Sequence, residues 1–96
     1  MTLEEALAAL SQLRAEIDRI DLDLLVLLNE RTRVVEKIGH IKEQVSLPVY
    51  EPKREQAVFR NVTENNGGPL EGEALQRIFE RIIDEMRSLQ KMRRGS

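Results

Sequence analysis

The chain has no cysteine and one histidine among its 96 residues. Without cysteine there is no disulfide framework, no thiolate nucleophile and no thiolate-ligated metal. That composition permits a reducing cytosol, and a cytoplasmic location is the expectation. The single histidine, His40, leaves little scope for the usual general base. Ser11, Ser46, Ser88 and Ser96 have no histidine nearby in sequence to activate them. Long hydrophobic runs are missing as well: the longest, Leu24 to Leu28, is far short of the roughly 20 residues that cross a bilayer. The N-terminus (Met1-Thr2-Leu3-Glu4-Glu5) starts acidic and has no basic segment followed by an apolar one, so no signal peptide is expected. The formal net charge is −2, which gives no net basic face, and nucleic acid is not an expected partner. Lys91, Arg93 and Arg94 read as a solvated helix end favoured by the macrodipole. At 96 residues the chain is expected to be one domain, near the lower limit for a self-sufficient core.

Proline is absent before Pro48, and the stretch from Leu3 to about Val45 is one helix-coding run. Leu3, Leu10, Ile17, Leu24, Arg31, Ile38 and Val45 recur every seven residues. Ala6, Leu13, Ile20, Leu27, Val34 and Ile41 form the companion series of a heptad seam. One member breaks the rule, because Arg31 stands where the seam calls for Leu or Ile. Burying a guanidinium without a partner is costly, so an anion is expected beside it. Length adds a second inference. About 43 helical residues span roughly 65 Å, whereas a compact chain of this size would be a globule roughly 30–35 Å across. The seam is therefore expected to be completed by a second copy, in an intertwined homodimer.

Pro48 ends the first helix by restricting Leu47. Pro52 suits the first position of a second helix, 52 to about 65, which stops at Asn65-Asn66-Gly67-Gly68-Pro69. A third runs from about 71 to 93, with Leu75, Ile78, Phe79, Ile82, Ile83, Met86 and Leu89 along one face. The fold class is all-α: one very long helix, one short and one medium.

On the long helix Arg31 and Lys42 lie within about 20° of each other and roughly 16 Å apart, a span that suits a small anion lying along the helix. Arg14 is roughly 25 Å from Arg31 on the same helix, so a small ligand would meet both only if Arg14 came from an antiparallel partner. Glu51, Arg54 and Glu55 share one face near the start of the second helix. Gln90 follows Met86 on the third. His40 falls on the outer face. These groups are cations, carboxylates and one amide, without a histidine to serve as the usual general base. They suit electrostatic stabilisation and conformational restraint better than proton transfer or covalent attack. For each cation alone, solvation or surface pairing is the ordinary alternative. For Arg31 the alternative is a device that fixes dimer register.

The residues also carry a family resemblance. Leu13-Arg14, Glu16-Ile17-Asp18, Leu24-Leu25 and Leu28-Asn29-Glu30-Arg31 come first. Ile38-Gly39-His40-Ile41-Lys42, Pro48-Val49, Arg54-Glu55, Arg77-Ile78-Phe79, Ile82-Ile83 and Gln90 follow in order. Over essentially its whole length the chain resembles the all-helical class of chorismate mutase. The resemblance implies an interlocked homodimer and a pericyclic rearrangement of chorismate to prephenate, in aromatic amino acid biosynthesis, with no cofactor and no metal. It implies that Arg31, and Arg14 from the partner, hold the two carboxylates of chorismate. Lys42 and Gln90 would hydrogen-bond the ether oxygen, Arg54 would assist a carboxylate, and Glu51 and Glu55 would orient the ring hydroxyl. Two positions depart from the pattern. Glu51 stands where relatives often have Asp, and Met86 where several have a small hydroxyl residue that binds a carboxylate.

Three other functions fit the same residues. Isochorismate-pyruvate lyase shares the scaffold. A regulatory domain that binds chorismate or prephenate, fused to or associated with DAHP synthase, is a second. The third is a plain coiled-coil dimeriser, for which Arg31→Leu would stabilise the fold and change nothing else.

Overall fold

The computed structural model describes residues 1–95. Among them the regular structure is three helices and no strand: α1, Leu3–Gln44; α2, Pro52–Glu64; and α3, Gly72–Arg94. The all-α class read from the periodicity is the one observed.

Most of the helix ends have a local cause. At the start of α1 the Thr2 hydroxyl accepts from the Glu5 N–H at 3.1 Å, and the Glu5 carboxylate accepts from Thr2 Oγ1 at 3.0 Å and from Thr2 N at 3.4 Å. This is a reciprocal capping box. The other end closes on Ser46, which takes a φ of 58°. Leu47 N–H donates to Lys42 O at 2.8 Å and Ser46 N–H to Glu43 O at 3.3 Å. That pair of bonds satisfies two carbonyls the helix leaves over, and it places the left-handed residue where glycine is normally found. Pro48 lies beyond a helix that has already ended, so the stop is made by Ser46 rather than by Pro48 alone. Ser46→Gly is therefore expected to stabilise the protein by about 0.5–1 kcal/mol, the relief of a left-handed Cβ less the added freedom of the unfolded chain. A urea titration at unchanged m-value measures it.

α2 begins at Pro52 in its first turn, where a missing N–H costs nothing. After α2, Asn66 bridges the turn, donating to Leu70 O at 2.8 Å and accepting from Gly68 N–H at 3.0 Å. Gly68 has a φ of 74°, a conformation open to glycine. The basic residues Lys91, Arg93 and Arg94 occupy the last turn of α3, where they complement the helix dipole.

The chain divides into two compact units, Met1–Arg33 and Val34–Ser96. The first is a helical segment of α1. Its seam residues Leu10, Leu13, Ile17, Ile20, Leu24 and Leu27 are 42–59% exposed. In the second unit α2 packs on α3, and the buried apolar side chains are Val35, Leu75 and Ile83. Val58, Phe59, Val62, Phe79, Ile82 and Leu89 are half-buried around them. At about 1.5–3 kcal/mol for each fully buried aliphatic side chain, this is a thin core.

Within this second unit the covered face of α1 is not the heptad seam. Val34, Ile38 and Ile41 stay exposed, while Val35 and Lys42 are buried and Gly39 half-buried. Those three recur at i, i+4 and i+7 and so form one inward stripe. α3 follows its expected face more closely, although Ile78 is exposed. No helix among the described residues is long and apolar enough to cross a membrane.

Candidate active site

Lys42 is the buried charged residue of the second unit, at 7% exposure. An ammonium taken from water without partners costs several kcal/mol, so its surroundings must repay that. Two short contacts and one long one do so. Nζ lies 2.6 Å from Glu51 Oε1 and donates to Val49 O at 2.9 Å. A longer contact of 3.4 Å reaches Gln90 Oε1. An ammonium has three donors and no acceptor, and here each donor faces an oxygen. Because Lys42 can only donate, it is the carbonyl oxygen of Gln90 that faces it, which leaves the amide N–H donors of Gln90 for another acceptor.

Each partner has a local reason to be there. Lys42 sits in the last turn of α1, beside the turn that brings the chain back at Val49. Glu51 is the N-cap residue of α2, yet it makes no side-chain capping bond. Its carboxylate goes to Lys42 instead. Gln90 approaches α1 at Gly39, where a Cβ would lie 3.2 Å from Gln90 Cγ. That glycine is required by close approach, not by backbone conformation. A separate groove of about 270 Å³ opens beside Gln90, between Glu36, His40, Leu89 and Arg93. Neither Lys42 nor Glu51 lines it, so it is not the space that the ammonium faces.

The expected site residues are thus distributed as follows. Lys42, Glu51 and Gln90 come together. Glu55 is paired elsewhere, in a two-pronged bond with Arg87: Nε to Oε2 at 3.1 Å and Nη2 to Oε1 at 3.1 Å. Hydrogen bonding to Glu55 raises the Arg87 guanidinium above its usual pKa, desolvation opposes this, and the charges of Glu55 and Asp84 add to the rise. Met86 is half-buried on the same face of α3. Arg54 is exposed, with no ion pair among the described residues. In the first unit Arg31 is half-buried and Arg14 exposed. His40 is exposed as expected and contacts Gln44 at 3.2 Å.

Three contributors were not anticipated from sequence: the Val49 carbonyl, Gly39 and Arg87. Arg87 had a legible signal. It falls at i+4 from Ile83 and i−3 from Gln90, so it interrupts the inward face of α3 as Arg31 interrupts the seam of α1. Gly39 stood out only as a lone glycine inside a helix-coding run, which does not say what approaches it, and Val49 had no signal, since a backbone carbonyl leaves no trace in residue type.

Comparison with known proteins adds to this geometry. Residues 13–91 match the model of the family described as chorismate mutase type II. The bifunctional chorismate mutase/prephenate dehydratase of Aquifex aeolicus is 43% identical over 86 residues, covering 85% of this chain and 24% of that protein. The chain therefore spans about a quarter of the length of that relative. Among solved structures, chorismate mutase from Thermus thermophilus (form II) superposes with a TM-score of 0.84 at 35% identity, covering 86% of this chain and 94% of that one. Chorismate mutase from Helicobacter pylori in complex with prephenate gives a TM-score of 0.81 at 34% identity, with 88% and 91% covered. The fused relative has prephenate dehydratase as its second activity, so the expected association with DAHP synthase is not supported.

Proposed function

Because the chain belongs to the chorismate mutase type II family, we propose that it converts chorismate to prephenate at a site centred on Lys42 and Gln90. The observation that carries this reading is the buried ammonium. Two short contacts, to Glu51 and Val49, hold Lys42, while its third donor has only the 3.4 Å contact to Gln90. That third donor and the amide N–H of Gln90 are the groups an incoming ether oxygen can engage. In the rearrangement the ether C–O bond breaks as a new C–C bond forms within one ring of atoms. No proton is transferred and nothing is oxidised. Negative charge grows on the ether oxygen, and donors fixed in advance lower the barrier because they need no reorganisation. The remaining contribution is restraint of the substrate in its compact conformer. Arg31 and Arg14 of the partner subunit take the two carboxylates, with Arg54 assisting. Glu51 and Glu55 keep lone pairs beyond those used by Lys42 and Arg87, so both can accept from the ring hydroxyl. Met86 packs against the substrate without a hydrogen bond.

The homodimer is part of this proposal. The exposed seam of the first unit and the exposed Val34, Ile38 and Ile41 of the second are apolar faces of the kind that another chain covers. A monomeric mass at micromolar concentration would overturn it.

The deciding experiment supplies purified protein with chorismate and, separately, with isochorismate, with Arg31→Ala alongside. Prephenate from wild type and none from the variant is the expected result. Pyruvate released from isochorismate instead would move the assignment to the lyase. A folded dimer that binds chorismate without turnover would make it a regulatory domain.

Gly39→Ala tests the close approach directly. Alanine gains about 1 kcal/mol of helix propensity over glycine, while the new Cβ, 3.2 Å from Gln90 Cγ, obliges that side chain to shift. Melting is expected to change little and kcat to fall by about two- to tenfold, since small misplacements of a catalytic group are costly.

A further inference from the structure

We infer that Arg87 is a positioning residue for the Lys42 ammonium, acting through the Tyr50 ring and the Glu55 carboxylate on the loop that supplies Val49 and Glu51. The inference concerns the site proposed above, and its test separates the two.

The guanidinium of Arg87 stands between three groups. It holds both carboxylate oxygens of Glu55 at 3.1 Å. Nη2 also donates to Asp84 Oδ1 at 3.0 Å, on its own helix. The Cζ atom lies 5.2 Å from the centre of the Tyr50 ring, within cation–π range. Tyr50 is covalently flanked by Val49 and Glu51, the two residues that grip Lys42. One side chain from α3 thus braces the first turn of α2 and the loop before it, and these set where the two short acceptors of Lys42 lie.

Surface pairing does not describe this arrangement. Arg81–Glu85 and Arg93–Glu36 are single-contact pairs with exposed arginines, at 77% and 65%. Arg87 and Glu55 are 27% and 21% exposed and joined by two bonds. A fork of this kind fixes orientation as well as distance, which a lysine cannot reproduce. The ring adds a restraint on Tyr50 that depends on its aromatic face and not on its hydroxyl.

The test combines kinetics with a readout that needs no turnover. Lys42 is buried, so a small amine-acylating reagent labels it slowly, and mass spectrometry reports the rate. Arg87→Leu is expected to label at Lys42 about tenfold faster and to lose about 10- to 100-fold in kcat with a smaller change in KM. Arg87→Lys should recover little of either. Tyr50→Leu is expected to lose about two- to fivefold in kcat, Tyr50→Phe nothing, and the Arg87→Leu/Tyr50→Leu pair should be non-additive. Unchanged Lys42 labelling in folded Arg87→Leu and Tyr50→Leu would overturn the inference, as would full recovery by Arg87→Lys. Were wild type to leave chorismate untouched, the functional proposal would fail, and the labelling would still decide the role of Arg87. Should Arg87→Leu not fold, Tyr50→Leu against Tyr50→Phe decides it.

Discussion

Lys42→Met is expected to lower kcat for chorismate by about 10²–10³-fold, the loss that would follow removal of one preorganised donor to a developing oxyanion. KM moves much less, because the ether oxygen carries its charge only in the transition state and a donor to it contributes little to ground-state binding. Stability should be nearly unaffected. Methionine fills the volume of the lysine stem, and Glu51, about half exposed at 48%, regains water once its cation is gone. Removing one partner of a fully buried pair would leave a stranded charge at high cost, but here the remaining carboxylate is the half-exposed one. Steady-state kinetics with a parallel urea titration separates the two effects. A variant that melts early but keeps its kcat would assign Lys42 to folding and remove it from the chemistry. Lys42→Arg is a sharper control, since the longer planar fork cannot meet Val49, Glu51 and the substrate with the same geometry. It is expected to fold and to remain slow.

Mixing two inactive variants, Arg14→Ala and Lys42→Met, restores turnover if each site takes Arg14 from one chain and Lys42 from the other. In a two-fold dimer the mixed species then has one site with both lesions and one with neither. After random exchange at equal concentrations about half the dimers are mixed, so recovery approaches about a quarter of wild-type activity. Were Arg14 and Lys42 to serve the same site from one chain, every site would carry one lesion and the mixture would stay inactive. Arg14 suits a role in trans: it is exposed, and no ion pair occupies it among the described residues. The expected signal rises from near nothing to about a quarter of wild type. Exchange is followed by the time course of recovery after mixing, and cross-linking or a mass measurement establishes that mixed dimers have formed.

Much of the architecture is written locally. Heptad spacing, the absence of proline before Pro48, Pro52 at a helix start and the Asn65–Gly68 break each act through neighbouring residues, and α1, α2 and α3 follow from them. Arg31 was conspicuous for the same reason, as a charge at a position whose period demands an aliphatic side chain. The all-helical family resemblance likewise rests on motifs that can be read in order along the chain.

Pairing across long stretches of chain is different. Glu51 and Glu55 are both acidic and one helical turn apart, and sequence alone assigns them alike. Tertiary structure separates them: Glu51 faces Lys42, whereas Glu55 faces Arg87, 32 residues away. Periodicity also singled out the seam of α1, yet the covered stripe is the adjacent one of Val35, Gly39 and Lys42, where Gln90 of α3 comes close to Gly39 and Lys42. Helix type and extent depend on interactions a few residues long, which the sequence by itself determined. Which carboxylate holds the buried ammonium depends on where the turn after α1 delivers Glu51 and on Arg87 of α3 taking Glu55, and only the tertiary structure decided that.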